Sequence, residues 1–450
     1  MDKYFNRKIY DRIKKWKDDD SSRYALLIEG ARRVGKSTVV EEFARNEYRS
    51  HILIDFSVAG EEIKELWTDL TDLDYIFLKL QSHYGVSLHE HESLIIFDEV
   101  QFCPKARQAI KHLVKDGRYS YIETGSLISI KRNVEDILIP SEEMSIMMYP
   151  MDFLEFLEAT GKKMTVSLME YYIKNPGKMT DEDNRSLMKE FRLYMLIGGM
   201  PQAVESYIEK NDFAEVDKVK RTILKLYMND FYKLDEKGYL SKLFGAIPSI
   251  LEYNKSRYSI DTILSMQLAD NTKNSLFSCL VDSKTCLAAY HVAEPGPGLN
   301  QTKDEDRYKL FLTDTGLFVT LMFYDSDYYS NEIYQKLLND KLSANLGYLY
   351  ENAVASQLAS AGFNLYYNTF YDPVGHRTYE IDFLIGSHGK TCPIEVKSSK
   401  WKAHASLDNF SEKYSARIYR KFILHTKRIS KDGDIFCLPV YYAGFIDRFL

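Results

Sequence analysis

The residues Tyr24-Ala25-Leu26-Leu27-Ile28-Glu29-Gly30-Ala31-Arg32-Arg33-Val34-Gly35-Lys36-Ser37-Thr38 decide the fold of this chain. They read as an apolar strand, then Gly-x-x-x-x-Gly-Lys-Ser, then a helix with Val39, Val40, Phe43 and Ala44 on one side. A phosphate-binding loop requires that order of strand, loop and helix. Gly30 and Gly35 let the backbone turn tightly enough for its N–H groups to surround phosphate oxygens. A helix starting near Lys36 adds the positive end of its dipole, and the Lys36 ammonium reaches the β- and γ-phosphates. The Ser37 hydroxyl is the expected magnesium ligand. Gly30, Arg33, Val34, Gly35, Lys36, Ser37 and Thr38 are thus the expected contacts of ATP and its Mg2+.

Around this loop, 450 residues are more than one domain usually holds, and two to four domains are expected. With 45% hydrophobic and 28% charged residues the composition is that of a soluble globular chain. A net charge of −6 excludes a chain-wide nucleic-acid footprint, so any such footprint must be local. Cys103, Cys279, Cys286, Cys392 and Cys437 lie far apart, without a C-x-x-C pair, and read as thiols of a reducing compartment. The chain starts without a signal pattern, and no apolar run approaches membrane-spanning length. The expected location is the cytoplasm, with no membrane partner.

Residues Tyr4 to Lys17 have Phe5, Ile9, Ile13 and Trp16 at helical spacing. After the loop helix, His51 to Phe56 reads as a second strand, and Ser93 to Glu99 as an apolar strand ending in two carboxylates. A helix from Pro104 to Asp116 leads to the strand Tyr119 to Glu123, which ends in Thr124-Gly125-Ser126. Strands alternating with helices predict a parallel sheet covered on both faces. Open parallel sheets place ligands at the C-terminal ends of their strands. Asp98 is therefore expected to serve magnesium, and Glu99 to orient or deprotonate the attacking water. Elsewhere an acidic pair after a strand is ordinarily a solvated strand end. A P-loop kinase also needs Lys36 and Asp98; Glu99 favours hydrolysis over transfer. Thr124 and Ser126 either sense the γ-phosphate or form a plain turn.

These pieces, with others further on, resemble the prokaryotic AAA-superfamily ATPases that join a P-loop domain to a C-terminal half of unassigned function. The later matches are Tyr149-Pro150-Met151-Asp152-Phe153-Leu154-Glu155-Phe156-Leu157, Gly198-Gly199-Met200-Pro201, Thr313-Asp314-Thr315-Gly316-Leu317 and Ile394-Glu395-Val396-Lys397-Ser398. The resemblance covers nearly the whole chain and implies four parts. They are an α/β parallel-sheet ATPase core (1–160), a helical lid (161–235), a winged-helix-like segment (236–330) and a restriction-nuclease-like α/β domain (331–450). Many such proteins carry Gly-Arg before the Tyr-Pro motif, where this chain has Ser141-Glu142-Glu143. An arginine finger from that position is therefore in doubt, and Arg132 and Arg192 are weak substitutes.

The lid pattern is helical, broken at Asn175-Pro176-Gly177 and at Gly198-Gly199-Met200-Pro201. In the next segment, helices at 247–254, 258–268 and 271–281 precede strands at 286–293 and 308–313. The third helix offers Lys273 and Asn274 and little else to read bases, which favours structural or protein-docking use over DNA reading.

In the last part, Leu346 to Ala361 reads as an amphipathic helix containing Glu351. Strands at 380–385 and 391–397 flank a turn expected to centre on His388-Gly389. That register puts Asp382 opposite Glu395 and Glu380 opposite Lys397, all on one face. Facing carboxylates repel unless a cation or proton intervenes, and Mg2+ or Mn2+ is the economical cation. Lys397 then stabilises charge on a scissile phosphate or helps activate water. This is the D-x(n)-E-x-K constellation of restriction-like nucleases, and the resemblance adds Glu351 as a third metal-ligating carboxylate beside Asp382 and Glu395. Between 390 and 428, ten Lys and Arg stand against three Asp and Glu, a local excess suited to a phosphate backbone. The expectation is an ATP-binding and ATP-hydrolysing protein whose nuclease-like domain acts on DNA or RNA, with a homo-oligomer as a candidate state. The alternative is a nucleotide-operated switch whose terminal domains bind a partner without cleavage.

Overall fold

The structure, a computed structural model, describes residues 4–125, 141–253, 257–324, 331–339, 347–373, 375–398 and 402–450. Its contacts divide the chain into two units, residues 1–149 with 282–284, and residues 150–281 with 285–450.

The first unit is built on five parallel strands. These are β1 (Ala25–Glu29), β2 (Ser50–Asp55), β3 (Ser93–Asp98), β4 (Ser120–Gly125) and β5 (Glu143–Met147), in the order β2-β3-β4-β1-β5. Helices Ile9–Asp19, Lys36–Glu47, Leu73–Tyr84 and Pro104–Asp116 accompany them. Alternate strand residues feed separate cores. Ala25, Leu27, Ile95 and Phe97 enter one cluster, whereas Leu26, Ile28, Leu94 and Ile96 enter the other with Val39, Val40 and Phe43 of the loop helix. Continuous apolar strands are thus explained by burial on both faces. The strand β5 was not anticipated, because Glu143-Met144-Ser145-Ile146-Met147 is half polar and lies at the sheet edge.

The second unit begins with helices Phe153–Ala159, Lys163–Lys174, Asp181–Ile197, Pro201–Lys210 and Phe213–Leu234, broken at both predicted places. Helices Tyr239–Glu252, Ile260–Leu264 and Asp270–Asp282 follow, near the three predicted positions. The next strands, β6 (Cys286–Val292) and β7 (Lys303–Leu312), pair with each other and form one end of a mixed eight-stranded sheet. Its remaining strands are β8 (Tyr366–Asp372), β9 (Arg377–Ser387), β10 (Lys390–Lys397), β11 (Lys421–His425), β12 (Ser430–Asp432) and β13 (Ile435–Pro439), in the order β12-β13-β11-β10-β9-β8-β6-β7.

The helix Gly347–Ser360 departs from the amphipathic expectation. Tyr348 to Tyr350 and Asn352 to Ala359 are all buried. Its polar residues are tolerated there because they pair with backbone. Asn352 accepts from Leu312 N (2.8 Å) and donates to Leu312 O (3.2 Å), and Gln357 Oε1 accepts from Phe153 N (3.1 Å). The five cysteines are free, four of them buried. No helix among the described residues is long and apolar enough to cross a membrane.

Candidate functional site

The parallel sheet assembles the first site from three strand ends. Gly30 follows β1, Asp98 ends β3, and Thr124 lies near the end of β4, paired with Ile28 of β1. Gly35 caps the loop helix at φ 98°, a conformation costly for any side chain. A Cβ on Gly30 would lie 2.4 Å from Met148 O, which explains the first glycine by close approach. Arg33 is exposed at φ 69°, Val34 is fully buried, and Thr38 is half-buried in the first turn of the helix. Arg7, which carries no motif of its own, is buried and ties down the loop by donating to Val34 O at 3.0 Å.

Lys36 is buried, and its ammonium donates to Gly30 O (3.0 Å) and Ala31 O (3.2 Å). Burial lowers its pKa, against the opposing pull of Glu99 and Asp98. Ser37 Oγ donates to Asp98 Oδ1 at 2.8 Å, and Thr124 Oγ1 donates to the same oxygen. The loop hydroxyl, the strand carboxylate and the Thr124 hydroxyl therefore share one point. Ser37 and Asp98 offer the oxygen donors that suit Mg2+. Glu99 turns off the strand at φ 53°, its N–H donates to Thr124 Oγ1 (3.3 Å), and its carboxylate accepts from Gln101 Nε2. Gln101 thus holds the Glu99 carboxylate in place; its two-residue spacing from Glu99 was the available signal. Ser126 and Arg132 lie outside the described residues.

Beside Thr124, Glu123 is fully buried, and burial, with the nearby Glu143 adding to it, raises its pKa well above the usual carboxylate range. Arg107 forks onto Glu143 at 3.1 and 2.8 Å and lies 3.9 Å from Glu123. Glu143 stands in the segment where the resembling proteins carry Gly-Arg, and here it accepts from an arginine. Arg192 Nε contacts Tyr350 OH at 3.4 Å within the second unit.

The second unit gathers a different set of charges. The turn at His388 (φ 50°) and Gly389 (φ 68°) has the two left-handed residues of a tight hairpin. The ladder runs from Lys390↔Ser387 to Ile394↔Phe383, the pair next to Asp382 and Glu395. Asp382 Oδ2 accepts from Val396 N at 2.7 Å. Glu395 is 1% exposed and ion-paired to Lys397 Nζ at 2.9 Å. Lys309, on β7 and missed by sequence reasoning, is buried and ion-paired to Glu380.

Burial, then Asp382 and Glu380, raise the pKa of Glu351 to about 8, while Lys309 and Lys397 oppose them. Burial alone would lower both lysines, but the carboxylates outweigh it and hold them above the usual range. Among the described residues no three His, Cys, Asp or Glu side chains converge as a metal-holding group. The basic stretch also looks different in space. Arg417 pairs with Glu294 (2.9 Å), Lys421 with Asp434 (2.5 Å) and Arg428 with Asp181 (3.6 Å), all acids from outside the stretch. Lys273 pairs with Asp270 (2.7 Å) and Asp261 (3.3 Å). Lys400 lies outside the described residues.

Two motifs shared with the resembling proteins form a buried joint. Asp314 accepts from Gly199 N (2.6 Å) and Leu317 N (2.7 Å). Lys220, fully buried, donates to Leu196 O (2.6 Å), Gly316 O (3.2 Å) and Tyr334 OH (3.1 Å). Asp217 accepts from Tyr334 OH (2.6 Å), Thr320 Oγ1 (2.9 Å) and Arg221 Nε (2.6 Å). Burial lowers the Lys220 pKa to about 8.

A parallel sheet with a glycine-rich loop, a buried loop lysine and a serine–aspartate pair defines a P-loop nucleotide-binding domain of the Walker type. Residues 22–157 match the family model described as an AAA domain, which makes this part an AAA-type ATPase domain. Residues 188–328 and 346–442 match two models described as domains of unknown function. An uncharacterised protein of Methanocaldococcus jannaschii is 25% identical over 286 residues, 60% of this chain and 58% of that protein. Among solved structures, a Walker-type ATPase of Pyrococcus abyssi is 17% identical, covering 71% of this chain and 96% of its own, with a TM-score of 0.42. A signal-transduction ATPase with a tetratricopeptide repeat sensor from Pyrococcus horikoshii is 13% identical, covering 79% and 48%, with a TM-score of 0.26.

Proposed function

We propose that the chain binds ATP with Mg2+ at the loop Gly30–Thr38 and hydrolyses it, as an AAA domain implies. The observation that supports this best is the shared hydrogen bonding of Ser37, Asp98 and Thr124 beside Glu99. Lys36 would exchange its loop carbonyls for phosphate oxygens and bear the charge of the leaving diphosphate. Ser37 and Asp98 would hold Mg2+, whose charge lowers the cost of bringing an anionic phosphate to the site. Glu99, held by Gln101, would take the proton of the attacking water. Thr124, hydrogen-bonded to both Asp98 and the Glu99 backbone, would couple the γ-phosphate to that geometry. Phosphate release, measured for the full chain and for Glu99→Gln, tests the assignment; equal rates would refute it.

The four-part division at 160, 235 and 330 is proposed with it, including a winged-helix-like segment, whose β6 and β7 extend the terminal sheet, and a nuclease-like terminal domain. In the first reading, the terminal domain uses Asp382, Glu395, Glu351 and Lys397 on DNA or RNA. In the second, the chain is a nucleotide-operated switch whose terminal domain binds a partner without cutting. The ion pairs Lys397–Glu395 and Lys309–Glu380 favour the second, since they already neutralise two of the carboxylates. Metal-dependent cleavage of a DNA and RNA panel, with and without ATP, decides between them. Cleavage lost in Lys397→Ala would restore the first reading.

A further inference from the structure

The terminal cluster holds four carboxylates, Glu351, Glu380, Asp382 and Glu395, and two lysines. Lys397 comes from the same strand as Glu395, so its pairing follows from the E-x-K spacing. Lys309 does not. It arrives from β7, about forty residues before the buried helix that carries Glu351, and reaches the cluster with 4% of its surface exposed. Its ammonium pairs with Glu380 and lies 5.3 Å from the centre of the Tyr367 ring. A lysine is rarely buried unless paired, and crowded carboxylates, buried at Glu395 and half-buried at the other three, are rarely stable without a cation. Each requirement meets the other here. As arranged, the cluster does not present a metal coordination set. Lys397 lies 2.9 Å from Glu395, Asp382 accepts the Val396 N–H, and among the described residues no three of the carboxylates are grouped as a metal ion needs.

We propose that Lys309 is the resident cation of this cluster: it stands in for a divalent metal, so the terminal domain folds and works without one. This rests on the second reading above and gives it a cause. The β6–β7 hairpin and the terminal strands then form one folding entity, because the hairpin supplies a charge that the carboxylates cannot do without. A resident lysine also imposes an order of events. A metal could enter only by displacing an ammonium that is already paired and buried, at the expense of leaving it unpaired.

The test uses the full chain with nucleotide removed, titrated with Mn2+ and followed by calorimetry and by thermal midpoint. In the wild type, the Mn2+ response should be the same with and without Asp382→Asn, because only the Ser37–Asp98 site contributes. Lys309→Met should lower the midpoint in metal-free buffer by about 5–10 °C, as for an uncompensated buried charge. Mn2+ should recover part of that loss, and the recovery should vanish in the double variant Lys309→Met/Asp382→Asn. A wild-type Mn2+ response that depends on Asp382 would overturn the proposal, and that measurement stands even where Lys309→Met does not fold. Lys309→Met as stable as wild type in metal-free buffer would overturn it too. ATP hydrolysis should persist in wild type and Asp382→Asn alike, so failure of the lysine proposal is distinguishable from failure of the ATPase reading.

Discussion

Asp98 ends a strand of the first unit and Asp382 lies in the middle of one in the second, and their surroundings are opposite in kind. Asp98 is approached by neutral donors, the hydroxyls of Ser37 and Thr124, while the nearby Lys36 bonds to carbonyl oxygens instead. Asp382 is approached by a backbone N–H and stands among three carboxylates and two lysines. Hydroxyls orient a carboxylate and leave its charge uncancelled, so it remains available to a cation that comes with a ligand. Lysines cancel the charge permanently. The first arrangement fits a site that loads and unloads; the second fits a site whose electrostatics are closed within the fold.

The largest effect that could break this comparison lies in the first unit. Lys36→Ala removes the one buried ammonium at the loop, and ATP binding by calorimetry should fall below detection. Undiminished affinity would mean that the loop does not hold phosphate. Next is Glu99→Gln, which keeps the bond from Gln101 and loses the proton acceptor. Binding should persist, while turnover falls by roughly 10²–10⁴-fold. Wild-type turnover would transfer the water-activating role to another residue.

A third prediction concerns the joint around Lys220. Lys220→Met leaves the Leu196 and Gly316 carbonyls buried without their donor, at a cost of at least about 2 kcal/mol near neutral pH. The pH signature is more specific. Lys220 is held at about 8 in the fold against 10.5 when free, by burial, with Asp217 and Asp314 opposing and Arg221 assisting. Between those values the unfolded chain keeps a proton that the folded chain has lost, so this group makes stability rise with pH across that window. The difference between wild-type and Lys220→Met stability should therefore grow from pH 8 toward 10.5. A constant difference would mean that Lys220 titrates normally despite its burial.

How much of this was legible from the sequence differs between the units for a physical reason. The nucleotide site is local: Gly30 to Thr38 is one loop, and Asp98 and Thr124 lie at the ends of strands whose continuous apolar run is plain. The register of β9 and β10 was legible too, because a two-residue turn at His388-Gly389 fixes it. What was not legible comes from distant pairings. Lys309 reads as a lone basic residue near the start of an apolar strand until β6–β7 joins the terminal sheet. The basic stretch from 390 to 428 reads as a surface for phosphate until Glu294, Asp434 and Asp181 are folded against it. The edge strand β5 was obscured by its half-polar pattern, and the burial of the helix of Glu351 by polar residues that the backbone satisfies.

The smallest expected effect is also the sharpest test of the contrast. Asp382→Asn retains an oxygen that can accept the Val396 N–H, so the local backbone need not change. What it removes is a charge with neighbours of both signs. Asp382 pushes the pKa values of Glu351, Glu380 and Glu395 up, and it also helps hold Lys309 and Lys397 in their charged forms. Three repulsions relieved against two attractions lost leave a small net change. In chelator-containing buffer, urea unfolding of Asp382→Asn should therefore lie within about 1 kcal/mol of wild type, on the stable side if on either. The corresponding Asp98→Asn should bind ATP and Mg2+ far more weakly while unfolding at a similar urea concentration, because its neighbours are hydroxyls rather than charges. A loss of more than about 3 kcal/mol in Asp382→Asn would mean that its charge is an indispensable partner of a lysine. The two aspartates would then differ in the number of their partners and not in kind.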